Sequence, residues 1–228
     1  MFLSMLFISP FLALAWATAL VLSLTVHEFA HALVGKWRGD DTAEQLGRLT
    51  LNPLAHLDIA GTLMLLIVGF GWAKPVPFNP TRLKNPLADG AAIALAGPLS
   101  NLILAFVAAG IFHGLAKSGS LDLNSILPAF LVFVMLVNML LLFFNLIPVP
   151  PLDGSKVLDA GLAHANAHNA RAWLEINGPK ILLGFVILAL LTPINIFLVV
   201  QIPANFACNE MTQYRAVQFC DPRYLLSE

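Results

Sequence analysis

The sequence predicts an all-α membrane protein, a polytopic bundle of about four spanning helices with a re-entrant, partly β segment. Three observations carry this. The chain has 228 residues, of which 58% are hydrophobic and 11% charged, and its mean hydropathy is +0.81. Soluble domains carry roughly 25% charge. The apolar residues also fall in long runs, several near the roughly 20 residues that cross a bilayer. The stretches between them are short, polar and punctuated by Gly and Pro. A net charge of −1 offers no basic footprint for nucleic acid, so the lipid bilayer is the expected environment.

Taken in order, the first span is expected at about 10–35. Pro10 suits a first helical turn, and Phe11 to Val34 is one apolar run. The start carries no Lys or Arg, so no cleaved signal peptide is expected. The region of about 40–75 is broken by Gly47 and Pro53, and Gly47 to Leu51 reads as a short strand. Ile59 to Ala73 is apolar but short and holds three glycines, which suggests a segment that dips into the membrane and returns. A proline-rich loop with Lys74, Arg82 and Lys84 follows. The second and third spans are expected at 88–116 and 125–147, joined by the turn Lys117 to Asn124. Ser155 to Gly178 is polar and holds His164 and His168, which most simply face water. A fourth span is expected at 179–202, completing one membrane domain over 1–202, with a polar tail at 203–228.

The first span contains His27-Glu28-Phe29-Ala30-His31. Residues four apart share a helix face, so both histidines can point at one Zn²⁺, with Glu28 beside it as general base. Ionisable groups at membrane depth are costly and usually functional. A zinc site needs a third ligand. Charge helps to find it, because Lys and Arg gather on the cytoplasmic side. If Ile59 to Ala73 returns, all of the 12 Lys and Arg except Lys117, Arg215 and Arg223 lie inside. The end of the first span and the end of the third then approach the same face, and Asp153 can reach the metal.

The chain carries two further motifs. Gly97-Pro98-x-x-Asn101 lies in the second span, and Asn145-x-x-Pro148-x-Pro150-x-Leu152-Asp153-Gly154 ends the third. Together with His27-Glu28-x-x-His31 they resemble the site-2 protease family, over roughly Ala17 to Lys156. The resemblance implies an intramembrane zinc metalloprotease that cleaves a transmembrane helix of a protein or peptide substrate. It implies one Zn²⁺ per chain held by His27, His31 and Asp153, with Glu28 as catalytic base. Many members carry a PDZ domain between core spans or CBS domains after them. The Lys117 to Asn124 turn and the tail are too short for either, which leaves room for a separate regulatory partner. The expected location is the cell membrane, multi-pass, with the site toward the cytoplasm.

Other roles are less sharply indicated. Asn145 is the candidate donor to the oxyanion, with a helix–helix hydrogen bond as its rival. Gly97 and Asn101 are candidates for substrate binding, because Gly97-Pro98 should kink the span and Asn101 could hold a substrate backbone group. Close helix packing is the alternative. His56, with Asp58, is a third candidate, against a structural loop role. Cys208 and Cys220 both fall on the outer side of the membrane in this topology, where a disulfide is chemically allowed. Two other functions fit the same residues: a multi-span metal transporter using the His/Glu/Asp cluster, and an inactive homologue that binds helices. No internal repeat favours the first, and an intact Glu28 argues against the second.

Overall fold

A computed structural model describes residues 6–7, 9–68, 71–122, 125–192, 197–212 and 220. The described residues hold no β-strand. Four of their helices are long and apolar enough to cross a membrane: Pro10–Trp37, Pro86–Lys117, Ile126–Asn145 and His168–Ala189.

Helix α1 (Pro10–Trp37) starts where the sequence suggests. Ser9 accepts the Leu12 N–H and Pro10 occupies the first turn. Its buried stripe runs through Trp16, Ala19, Ser23, His27 and His31, so the motif faces the bundle. Leu14 and Phe11 point outward. The helix ends at Arg38, and Gly39 turns the chain at φ +103°. A single turn, α2 (Thr42–Gln45), and helix α3 (Ile59–Val68) follow.

Helix α4 (Pro86–Lys117) continues through Pro98 and packs Ala94, Gly97, Asn101, Ala105, Ala108 and Phe112 inward. Its opposite side exposes Ile103, Phe106, Val107 and Ile111. Large apolar side chains on the outside suit a lipid-facing surface. Helix α5 (Ile126–Asn145) is the most enclosed, with Leu131 through Met139 all buried. A helix apolar on all sides belongs at the centre of a bundle, and α1, α4 and α8 surround it.

Past α5, the chain turns at Pro148 to Pro151 into α6 (Gly154–His164), which packs against α4. Helix α7 (His168–Leu191) is held to α6 by Arg171, which pairs with Asp159 at 2.8 and 3.0 Å. Most of α7 is otherwise exposed, including Ile176, Leu183, Phe185 and Leu191. Helix α8 (Leu198–Thr212) runs antiparallel to α5: Ala204 meets Met139 and Leu142, and Cys208 reaches Val132. At the far end His113 Nε2 donates to Met211 O, and Cys208 is disulfide-bonded to Cys220.

Two expectations need correction. The re-entrant, partly β segment is not found. Gly47 to Leu51 forms turns and bends, and among the described residues pairing is limited to one antiparallel bridge, Leu57 with Ala73. The cause is local chemistry. Gly47 takes φ +68°, Asn52 caps a 3₁₀ turn, and Pro75, Pro77 and Pro80 remove the donors a ladder needs. The apolar stretch expected as a span at 179–202 is divided between two helices. Thr192 is extended because it precedes Pro193, and α8 begins at Leu198. Arg215 and Arg223, used in the charge argument, lie outside the described residues.

Candidate metal centre

The site is built at the end of the bundle where α1 and α5 finish and α4 begins. His27 and His31 sit one turn apart with their Nε2 atoms 3.0 Å from each other. Asp153 follows the turn after α5 and brings Oδ2 to 3.3 Å from His27 Nε2 and 3.4 Å from His31 Nε2. Gly154 permits this placement, since a Cβ there would lie 2.3 Å from Leu146 O. Tetrahedral zinc with bonds of about 2.0–2.1 Å separates its ligand atoms by about 3.3 Å.

The hydrogen bonds around the histidines decide which nitrogens are free. His27 Nδ1–H donates to Asn101 Oδ1 at 2.6 Å, and His31 Nδ1–H donates to Ile93 O at 2.7 Å. Both Nε2 atoms therefore present lone pairs to one point. Asp153 Oδ2 is buried and has no hydrogen-bond donor. Three potential ligand atoms thus converge on one point, a donor set that suits a divalent cation. The residues fit a zinc ion.

The remaining candidates are placed as follows. Glu28, beside the ligands on α1, is buried, and its Oε2 accepts the Val76 backbone N–H at 3.1 Å. Gly97 lies directly against the imidazoles: a Cβ there would sit 2.4 Å from His31 Nε2 and 2.6 Å from His27 Nε2. Asn101 is fully buried and its Oδ1 accepts from His27 Nδ1–H. The Asn145 amide donates to Leu141 O of its own helix at 3.0 Å. His56 is buried in the loop before α3, where its Nε2–H donates to Thr50 O and its carbonyl accepts the Lys74 N–H. It is not part of the His27, His31, Asp153 cluster.

Sequence reasoning missed the layer behind Asn101. Asn101 Nδ2 donates to Asn138 Oδ1 at 2.7 Å, and Asn138 Nδ2 donates to Ser23 Oγ at 2.8 Å. All three side chains are fully buried. Such a chain fixes the Asn101 amide so that its oxygen faces His27. The signal was present, since Asn138 interrupts twelve apolar residues after Ser125 and six before Asn145.

A family model, peptidase family M50, matches residues 115–189, which include Asp153. Over that stretch the chain is similar to the family. It is similar to proteins named provisionally as zinc metalloproteases. One, YwhC of Bacillus subtilis, is 44% identical over 145 residues, covering 61% of this chain and 65% of that protein. Rip2 of Mycolicibacterium smegmatis is 32% identical over 181 residues, covering 76% and 65%. MJ0611 of Methanocaldococcus jannaschii is 44% identical over 100 residues, covering 44% and 49%. The chain spans less than two thirds of the length of each of these relatives. No solved structure matches it.

Proposed function

We propose that this chain is a zinc metalloendopeptidase that cuts membrane-held substrates within or near their transmembrane segments. One observation carries the reading: three buried acceptors, one of them an orphaned carboxylate oxygen, converge beside Glu28 inside apolar helices. The M50 similarity and the relatives' names support it.

His27, His31 and Asp153 would hold the ion, one per chain. When bound, zinc supplies a Lewis acid that acidifies water and polarises a peptide carbonyl. Asn101 and Ile93 O hold the imidazoles in the tautomer that can bind it. Glu28 is the general base. Its Oε2 is held by Val76, which leaves Oε1 to take a proton from water and pass it to the leaving amine. Asn145, eight residues before Asp153 in sequence, could serve the carbonyl oxygen under attack by turning its amide away from Leu141 O. The substrate must be extended at the cut, because a helix shields its own carbonyl carbons. His56 would act on a peptide only through the loop that it braces.

The site end is proposed to face the cytoplasm in a multi-pass membrane protein. Lys36, Arg38, Arg82 and Lys84 gather there, at the end of α1 and before α4. The reading is tested with purified protein in nanodiscs and a transmembrane peptide. Glu28→Gln should lower cleavage by at least about a thousandfold, the scale expected when a general base is lost, while zinc stays bound at wild-type content. Cleavage at the wild-type rate by Glu28→Gln would overturn it.

A further inference from the structure

Between α3 and α4 the chain runs through Lys74-Pro75-Val76-Pro77-Phe78-Asn79. Proline has no backbone N–H and holds φ near −65°. Pro75 to Pro77 therefore forms a stiff stretch with a single amide donor, that of Val76. This donor goes to Glu28 Oε2 at 3.1 Å, across 48 residues of sequence. Both ends of the stretch are pinned. At one end, Lys74 N–H donates to His56 O at 2.8 Å, and the buried Arg48 guanidinium donates to Lys74 O. Ala73 bridges to Leu57 beside it. At the other end, Asn79 N–H donates to Asp40 Oδ2 at 2.5 Å. Asp40 is in turn fastened to α1 by its own N–H to Gly35 O at 3.0 Å. The strap is thus anchored to the helix that carries Glu28, with Val76 set between the anchors.

We infer that the Val76 backbone amide is a positioning group for the Glu28 carboxylate, held in register by the strap of residues 74–79. The inference rests on the general-base role of Glu28 proposed above and adds how that base is aimed. A glutamate has three rotatable side-chain bonds. Without a partner, a carboxylate next to His27 could turn onto the ion itself, since carboxylates are zinc ligands. A donor on Oε2 keeps one oxygen occupied and leaves the other for proton transfer. The donor comes from the backbone, so side-chain identity at 76 matters little. What matters is the N–H and its register, and flanking prolines keep both from drifting.

The test uses the full chain, zinc-loaded, in nanodiscs. Val76→Pro removes the donor from a stretch already flanked by prolines. Val76→Ala keeps the donor. A hydrogen bond to a charged group contributes enough to expect kcat to fall about ten- to a hundredfold in Val76→Pro. KM and zinc content should be unchanged, and Val76→Ala should match the parent. A second arm needs no catalysis. Hydrogen exchange of residues 74–79 reports few amides because of the prolines, and exchange at Val76 should be at least about tenfold faster in Glu28→Ala than in the parent. Equal exchange in the two proteins overturns the contact, as does an undiminished kcat in Val76→Pro or an equal loss in Val76→Ala. If the parent itself fails to cleave while Glu28→Ala still speeds exchange, the protease reading fails and the Val76–Glu28 contact stands.

Discussion

Glycine 97 shows how tightly single residues are constrained. Any side chain there would enter the space of both imidazoles, with its Cβ 2.4 Å from His31 Nε2 and 2.5 Å from His27 Cε1. The rings cannot simply yield, because Asn101 Oδ1 and Ile93 O hold their Nδ1 atoms. Gly97→Ala should therefore weaken zinc binding by about 10–100-fold, the scale seen when outer support of a ligand is lost. Competition against a chelator of known affinity measures this, and circular dichroism should show the helices intact. Wild-type zinc affinity in Gly97→Ala would show that the cradle can open freely. The HEXXH residues were legible one by one, because their spacing alone puts two nitrogens on one helix face. The roles of Gly97 and Asn101 were not. A sequence motif marks a residue as constrained without saying what it touches, and here Asn101 bonds His27 while Gly97 lies against both rings.

At the scale of elements, the linker between α1 and α4 controls the site more than its irregular look suggests. Asp40 is its hub. Burial would raise the Asp40 pKa, but the Thr42 hydroxyl and the N–H groups of Asn79 and Thr42 outweigh it, and the pKa lies below the usual carboxylate value. A folded-state pKa below the unfolded one means that the anchor contributes stability above the unfolded pKa, about 3.9. That contribution is lost as pH falls through the lower, folded value. Protection of the Asn79 amide against exchange should hold at neutral pH and fall on acidification. Asp40→Asn should remove that acid-dependent loss, and an identical profile in the variant would refute the assignment. The helical elements were legible from hydropathy and from caps such as Ser9-Pro10. The strand at Gly47 to Leu51 was misjudged because β pattern over five residues cannot reveal whether a partner exists. The last helices were misplaced because hydropathy averages over Thr192, which precedes a proline and is extended.

For the whole molecule, two independent features point to one orientation. Basic residues gather at the site end, and the Cys208–Cys220 disulfide lies at the opposite end, beside Val132 and the His113–Met211 contact. Disulfides persist on the oxidising side of a membrane. In oriented vesicles, a membrane-impermeant reductant should open this bond only from the face opposite the site. Mass spectrometry after alkylation reads the result, and reduction only from the site face would reverse the proposed orientation.

The sequence alone determined that the chain is an apolar helical bundle with a zinc-type motif at membrane depth, because composition and helical periodicity are local properties. It also pointed to Asp153, because the parity of spans is countable. Tertiary structure alone decided which nitrogen of each histidine is free, why residue 97 must lack a side chain, and that Asn138 stands behind Asn101. It also joined Val76 to Glu28. Each of these depends on groups distant in sequence meeting within hydrogen-bond or van der Waals range. A backbone N–H carries no residue signature, so only the folded chain shows where it points.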